Sequence, residues 1–247
     1  MKYFLFAWNF IKYNLKTKQV VWGLGEIGNP IYKILNSANP TQAFDIDRKL
    51  LPKHNSKLDE YETQFLHICI PFNSKFIKNT QELKKKFSPQ GIIIHSTISP
   101  GTTKKIQEKI KDIPILYSAT RGVHKRMSSD LKKYTKFFAI DKNAPKAKWA
   151  SSRYVTIMKK SGVKTKQMSK PITLELAKIV VDTSYYGWLI NYAQISNMIA
   201  LKHNVNYDEM WSFADEIQQF LKNRTKFFQG FIGGHCVIPN LDLIDGD

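Results

Sequence analysis

Hydrophobic and polar positions follow two different patterns along the chain. Up to about residue 140, short apolar runs that predict buried strands are separated by amphipathic stretches, such as 79–87 and 103–111, that predict helices. Because strands that alternate with helices build a parallel sheet covered on both faces, the pattern predicts an α/β domain. The predicted strands are 20–22, 43–45, 65–70, 92–95, 115–117 and 137–140.

From about residue 144 onward the pattern becomes helical. The segment 174–201 carries apolar residues almost all round, which predicts a largely buried helix, and a second helix is predicted over 208–223. Near the start of the chain, apolar residues on one helical stripe predict an amphipathic helix that packs on its own core or on a second subunit. The residues of this stripe are Phe4, Trp8, Ile11 and Leu15.

Composition narrows the class of protein. The hydrophobic content of 43% is enough for a packed core, and the two cysteines, Cys69 and Cys236, are too few for a disulfide framework. So few cysteines are typical of a reducing compartment, and we expect a cytoplasmic protein. No apolar run is long enough to span a membrane. The six histidines show no metal-ligand spacing, and we expect no metal site.

The net charge of +18 has two interpretations. Lysine and arginine number 38 against 20 aspartates and glutamates. The excess is either a lysine-rich solvated surface or a means of attracting polyanions such as nucleotides, nucleic acid or anionic lipid. The lysines are scattered, with only small clusters at 84–86 and 159–160, which disfavours a nucleic-acid partner.

A glycine-rich loop directly follows the first predicted strand. Such a loop lets a pyrophosphate approach backbone N–H groups at the start of a helix. Asp45 ends the next predicted strand, close to the spacing at which an acid grips ribose hydroxyls; it favours NAD, while Arg48 keeps NADP open. The cofactor residues expected in the loop are Gly23, Gly25, Glu26, Ile27 and Gly28.

Two further stretches carry candidate chemistry. The run 95–103, His-Ser-Thr-Ile-Ser-Pro-Gly-Thr-Thr, is either a ligand-binding edge of the sheet or a turn capped by Ser and Thr. Near the other end, Cys236 follows Gly233, Gly234 and His235, and a cysteine in a tight glycine turn can serve as a nucleophile. A cofactor loop plus such a thiol points to aldehyde-level redox chemistry, in which the thiol captures a carbonyl before a second hydride leaves.

Five motifs occur in a fixed order along the chain. They are the glycine loop, Leu66-His67-Ile68-Cys69-Ile70-Pro71, Ser96-Thr97 with Pro100-Gly101-Thr102-Thr103, Glu175-Leu176-Ala177-Lys178, and Gly234-His235-Cys236. On these motifs the chain resembles the UDP-glucose/GDP-mannose dehydrogenase family. The resemblance implies a Rossmann-type doubly wound parallel sheet and then a helical domain like that of 6-phosphogluconate dehydrogenase. The expected parts are an N-terminal extension, 1–18, a dinucleotide-binding domain, 19–143, and a helical dimerisation domain, 144–247.

The family oxidises the C6 alcohol of a sugar nucleotide twice with NAD and yields a uronic acid. The resemblance implies that Cys236 traps the aldehyde and forms a thioester, that Thr97 helps to position water, and that Lys178 stabilises a developing oxyanion. It also implies a homodimer through the central helix. The remaining implied contacts are Pro71, Ser96 and Thr97 to the cofactor, and Arg121, His124 and Lys178 to the substrate.

The chain departs from the family at its catalytic carboxylates. Asp182 stands where the family has an asparagine, and Asn240 stands where it has an aspartate. Asp182 either supplies the missing carboxylate from the opposite wall of the site or forms an i,i+4 salt bridge with Lys178. Thr120 replaces a glutamate linked to thioester hydrolysis, and a hydroxyl activates water poorly.

The second departure is length. Family members continue beyond the cysteine motif into another α/β domain that grips the nucleotide, whereas this sequence ends at Asp247. We therefore expect that grip to be absent or supplied by a partner chain.

Three functions are compatible with these features. The first is an NAD-dependent oxidoreductase in a shortened form, which oxidises a sugar or sugar nucleotide once or twice. The second is a degenerate NAD-binding protein that acts as a regulator or through a partner, without turnover. The third, suggested only by the charge of +18, is a basic module that binds nucleic acid.

Overall fold

The computed structural model describes residues 16–55, 57–232 and 237–244, except for the side chain of His124. The chain forms two compact units, Met1–Glu175 and Leu176–Asp247. The domain boundary expected at 144 falls inside the first unit. The predicted N-terminal helix lies outside the described residues.

The first unit is built on a seven-stranded sheet with the order β2-β1-β3-β4-β5-β6-β7. Neighbouring strands are parallel except β5 and β6, which are antiparallel. The predicted parallel sheet and the Rossmann-type fold class are therefore confirmed. The strands are β1 Thr17–Trp22, β2 Thr41–Phe44, β3 Glu62–Ile68, β4 Gly91–Ile94, β5 Ile115–Tyr117, β6 Lys136–Ile140 and β7 Thr165–Met168.

Helices cover both faces of this sheet. Successive residues of a buried strand point to opposite faces, so each face carries apolar side chains that the helices cover. Val21 and Phe65 pack in one core with Tyr154, whereas their neighbours Val20 and Leu66 pack in a second core. The helices of this part are α1 Gly28–Asn36, α2 Phe76–Phe87, α3 Thr102–Lys109, α4 Met127–Lys133, α5 Ala147–Lys160 and α6 Pro171–Leu176.

The second unit is helical, as the sequence pattern predicts, but its long segment is not a single regular helix. A rare π-helical stretch, Ala177–Ser184, precedes α7, and the predicted helix 208–223 is divided in two. The helices are α7 Tyr185–Lys202, α8 Tyr207–Ser212, α9 Asp215–Leu221 and α10 Val237–Leu241.

The prediction that segment 174–201 is largely buried is wrong. Its buried positions in α7 are small residues, Gly187, Ala193, Ser196 and Ala200, while the large side chains point outward. An all-round apolar sequence predicts burial only if every face meets protein, and among the described residues it is mainly the small-residue face of α7 that does so. None of the helices in the described ranges has the length and apolarity needed to cross a membrane.

Candidate functional site

The three glycines at the turn from β1 into α1, of which Gly28 is the first residue of the helix, each have a different environment. Gly23 has a φ of +88°, and a Cβ there would lie 2.9 Å from the carbonyl oxygen of Cys69. A Cβ on Gly28 would overlap the carbonyl oxygen of Gly23, whereas one on Gly25 would meet nothing within 4 Å. These are the three roles that a dinucleotide loop needs: a tight turn, close packing of helix on strand, and an open backbone that a pyrophosphate can approach.

The start of α1 is suited to an anion. Ile27 precedes the helix without a side-chain cap, and the first turn contains no acidic residue. The first N–H groups of a helix lack intrahelical partners and carry partial positive charge, so the loop and helix start together fit the phosphates of a dinucleotide. Glu26, exposed beside Gly25, completes the loop.

Asp45 is the first residue after β2, one residue later than the sequence pattern places the end of the strand. One of its carboxylate oxygens accepts a hydrogen bond from the Leu24 N–H at 2.5 Å, and the other accepts one from the Asp47 N–H at 2.8 Å. The carboxylate is therefore fixed beside the glycine loop. Its position fits an acid that receives the ribose hydroxyls of a dinucleotide.

The ends of β3 and β4 bring the next predicted residues to the same edge of the sheet. Pro71 is exposed after β3, and the Ser96 hydroxyl after β4 donates to the Ile70 carbonyl at 2.6 Å. This bond ties the two loops together directly before the half-buried Thr97. The carboxyl ends of parallel strands form the ligand-binding edge of open α/β sheets, so this grouping of the predicted cofactor residues suits a shared site.

Glu175 has a role that the sequence pattern did not reveal. Its side chain is fully buried and accepts hydrogen bonds from the Gly101 N–H at 2.6 Å, the Thr103 N–H at 3.0 Å and the Thr103 hydroxyl at 2.5 Å. The carboxylate thus caps the start of α3 from another element of the chain. The loop 96–103 is anchored at one end by Ser96 and at the other by Glu175, with Thr97 between them.

The basic residues of the loop after β5 have different surroundings. Arg126 is paired with the buried carboxylate of Asp130 at 3.1 Å, so it stabilises the loop. Arg121 is exposed and donates to the Thr135 carbonyl at 2.9 Å. His124 lies in the 3₁₀ turn His124–Arg126, and its side chain is outside the described part of the structure.

Thr120, at the position of the family's glutamate, is buried beside a lysine. The Lys136 ammonium lies 3.1 Å from the Thr120 hydroxyl oxygen and also donates to the carbonyls of Ser118 and Ala119, at 3.1 and 3.2 Å. The hydroxyl oxygen therefore accepts a hydrogen bond from a cation. This surrounding does not suit a base that activates water.

Beneath the carboxyl edge lies a buried polar pair. His67 Nδ1 and His95 Nε2 are 2.9 Å apart, and both rings are almost fully buried. Burial, reinforced by the Lys136 charge, lowers the pKa of His67 to about 3 and holds the pKa of His95 well below its usual value. Burial also raises the pKa of the Cys69 thiol to about 12, so Cys69 is an inert packing residue, as its apolar surroundings in the sequence predict.

Within the second unit, the predicted catalytic residues lie on two elements that contact each other. Lys178 and Asp182 belong to the π-helical stretch, and their side chains form an ion pair with Nζ and Oδ2 2.6 Å apart. The salt-bridge alternative is thus present in the structure. α10, which carries the buried Asn240, packs against this stretch, and Val237 of α10 fills the space left by Gly187. Cys236 and its three preceding residues lie outside the described residues.

Among the described residues, no three His, Cys, Asp or Glu side chains are grouped closely enough to hold a metal ion. No family model and no curated protein sequence matches the chain.

Solved structures do match it. The UDP-D-ManNAc dehydrogenase of Pyrococcus horikoshii is 18% identical with a TM-score of 0.77, over 94% of this chain and 64% of that one. The UDP-N-acetyl-mannosamine dehydrogenase of Staphylococcus aureus is 18% identical with a TM-score of 0.67, over 90% of this chain and 63% of that one. The chain has the fold of these dehydrogenases. It spans somewhat less than two thirds of their length.

The fold extends beyond enzymes that act on sugar nucleotides. The 3-hydroxyisobutyrate dehydrogenase of Mycobacterium tuberculosis is 15% identical with a TM-score of 0.62, over 85% of this chain and 72% of that one. At such identities the likeness establishes the fold alone, because one fold serves many substrates.

Proposed function

We propose that this chain is an NAD-dependent oxidoreductase of the nucleotide-sugar 6-dehydrogenase type, which oxidises an alcohol or aldehyde through a covalent intermediate on Cys236. The observation that carries the proposal is the glycine loop with the Asp45 carboxylate fixed beside it. Asp45 favours the free ribose hydroxyls of NAD, because a 2′-phosphate would meet its negative charge.

The proposed oxidation needs two groups, the Cys236 thiol and a hydride acceptor. NAD, when bound, supplies the hydride acceptor. The alcohol loses a hydride and a proton to give an aldehyde; the Cys236 thiolate then adds to the aldehyde carbon, and the resulting alkoxide takes up a proton to give a thiohemiacetal. Loss of a second hydride from the carbon and of the proton from its hydroxyl would give a thioester, with NAD supplying the acceptor for the hydride. Water would cleave the thioester and release the acid and the thiol.

In this scheme Lys178 and Asp182 act together. The Lys178 ammonium has three N–H donors and directs one to Asp182, which leaves two for an oxyanion that develops on the substrate. Asp182 thus serves as a positioning residue for the lysine. Asn240, on the neighbouring α10, is an amide that can hydrogen-bond either to the substrate or to water.

One observation favours a second candidate function. Thr120 accepts a hydrogen bond from Lys136 where the related enzymes place a glutamate, so the hydrolytic step lacks its usual carboxylate. A chain with an intact cofactor loop but without this group can be a degenerate NAD-binding regulator that acts with a partner. It can also be an enzyme that stops after one oxidation.

The experiment that tests the function measures NADH production and product identity across a panel of UDP- and GDP-sugars, with NAD binding followed by calorimetry. We expect acid formation that disappears in Cys236→Ser and persists in Cys69→Ser, the matched change at the buried thiol. Acid formation unchanged in Cys236→Ser would refute the role of the cysteine. NAD binding without turnover of any sugar nucleotide would favour the second candidate.

A further inference from the structure

Two cations at the carboxyl edge of the sheet share one aromatic ring. The Arg121 guanidinium lies 5.1 Å from the centre of the Phe137 ring, and the Lys166 ammonium lies 6.0 Å from the same centre. Phe137 is half-buried on β6, and Lys166 is its direct neighbour on β7. The two charges are therefore no further apart than the sum of these distances.

The arrangement holds both cations in place. Arg121 is fixed by the ring and by its bond to the Thr135 carbonyl, and Lys166 by the regular strand β7. Neither forms an ion pair with a carboxylate within the described ranges, in contrast to Arg126 of the same loop, which is paired with Asp130. Two like charges within about a Debye length of each other repel, and an anion between them removes that repulsion.

The position of the pair relates it to the proposed active site. Arg121 lies in the loop after β5, and Thr97 lies in the loop after the neighbouring strand β4. Lys166 lies near the start of β7, two strands further along the same edge. A ligand whose reacting carbon is near Thr97 would extend along this edge toward Phe137. The anionic group of such a ligand would then lie several ångströms from the reacting carbon, as the diphosphate of a sugar nucleotide does.

We propose that Arg121 and Lys166, both of which lie against the Phe137 ring, form a binding subsite for the diphosphate of the substrate. This inference rests on the proposed function for the identity of the ligand, although the subsite itself can be tested without turnover. Both residues belong to the first unit, so this unit would bind the phosphate groups by itself. Guanidinium and ammonium groups both bind phosphate oxygens through charge-assisted hydrogen bonds.

The test uses inorganic pyrophosphate as the probe, titrated by calorimetry at low salt into the full chain. The titration is run without and with saturating NAD, because the glycine loop can itself hold a pyrophosphate. The variants are Arg121→Gln and Lys166→Gln, and the matched control is Lys160→Gln, at the end of α5 on the opposite face of the sheet. All three changes remove one positive charge, and thermal melting confirms that each variant is folded.

We expect pyrophosphate to bind in the presence of NAD, and each subsite variant to weaken it about tenfold or more, the usual loss for one charge-assisted hydrogen bond. Lys160→Gln should change the affinity by less than twofold. Equal weakening in all three variants would show diffuse attraction to a chain of charge +18 and would overturn the proposal. Absence of pyrophosphate binding would also overturn it. Failure of the dehydrogenase assay alone would leave the subsite standing.

Discussion

The two units of the chain treat their large apolar side chains in opposite ways. In the first unit Phe65, Phe76 and Tyr154 are completely buried. In the second unit the buried positions of α7 are small, while Trp188 and Met198 are 60% and 69% exposed. The first unit therefore has a closed core of its own, and the second presents apolar surface that no described residue of the chain covers.

This difference indicates where each unit obtains its stability. Each large side chain that remains in water forgoes roughly 1.5–3 kcal/mol of hydrophobic stabilisation. Contiguous exposed apolar surface is typical of interaction sites. We therefore expect the apolar surface of the second unit to be covered by another chain, and the first unit to depend on its buried polar contacts for stability.

The largest effect is expected on association. Six exposed apolar residues of the second unit are spaced alternately four and three apart, which is the pattern of a helix that packs on another helix. They are Val181, Tyr185, Trp188, Tyr192, Ile195 and Ile199. We expect a homodimer through this stripe, and we expect Trp188→Glu to weaken it a hundredfold or more, since a carboxylate would be buried without a partner.

Light scattering over a range of concentrations measures this association. Val155→Glu is the control, because Val155 is an exposed apolar residue of α5 in the first unit. The control variant should retain the dimeric mass. A monomeric mass for the unaltered chain would contradict the prediction.

The next largest effect is expected on the stability of the first unit. Glu175→Gln replaces an acceptor of three hydrogen bonds by an amide whose NH₂ group can face the Gly101 or Thr103 N–H donors. Because a buried donor left without an acceptor costs about 1–3 kcal/mol, we expect urea unfolding to show a loss of about 3 kcal/mol. Glu108→Gln, on the exposed face of the same helix α3, should change the stability by less than about 0.5 kcal/mol. Equal stability of the two variants would argue against a capping role.

A more gradual effect, spread over several pH units, comes from the buried histidines. The folded chain keeps His67 neutral down to a pH of about 3, whereas the unfolded chain protonates it near pH 6.5. The unfolded state thus binds more protons between these values, so stability falls as the pH is lowered from about 6.5 toward 3, by about 1.4 kcal/mol per pH unit. His95, whose pKa is also lowered, adds to the fall.

Urea titrations between pH 7.5 and 4.5 measure this slope. His67→Gln should flatten it, whereas His203→Gln, at an exposed position after α7, should leave it unchanged. A slope that is the same in both variants would mean that other groups cause the acid sensitivity.

The sequence predicted the central sheet well, because its strands are buried on both faces; β4, for example, is a continuous apolar run. It missed β7, since the edge strand Thr-Lys-Gln-Met has no apolar run and gains its structure only by pairing with β6. The π-helical stretch was also missed, because the apolar spacing of 174–201 does not distinguish it from a regular helix; within it the Thr183 hydroxyl donates to the Lys178 and Ile179 carbonyls.

In the candidate site, too, some features were predictable from the sequence and others were not. The glycine loop and Asp45 were predictable because each depends on local backbone geometry at a strand end. The contacts of Glu175 join positions more than 70 residues apart, and those of Lys136 with Thr120 cross between strands. Such pairings depend on the assembled sheet, and a single sequence carries no local signal for them.

The smallest effect is expected at the edge strand β2, next to Asp45. There the Asn55 side chain takes the place of a neighbouring strand: its oxygen accepts from the Ala43 N–H at 3.0 Å and its NH₂ donates to the Ala43 carbonyl at 2.7 Å. Asn55→Ala removes both bonds, but water can reach an edge strand and replace part of them, so we expect a loss of only about 1 kcal/mol. Asn143→Ala, in an exposed turn, is the control and should be neutral. Because β2 leads directly into Asp45, the same variant should also weaken NAD binding. Unchanged affinity would mean that the Leu24 and Asp47 N–H groups hold the carboxylate in place without the Asn55 contacts.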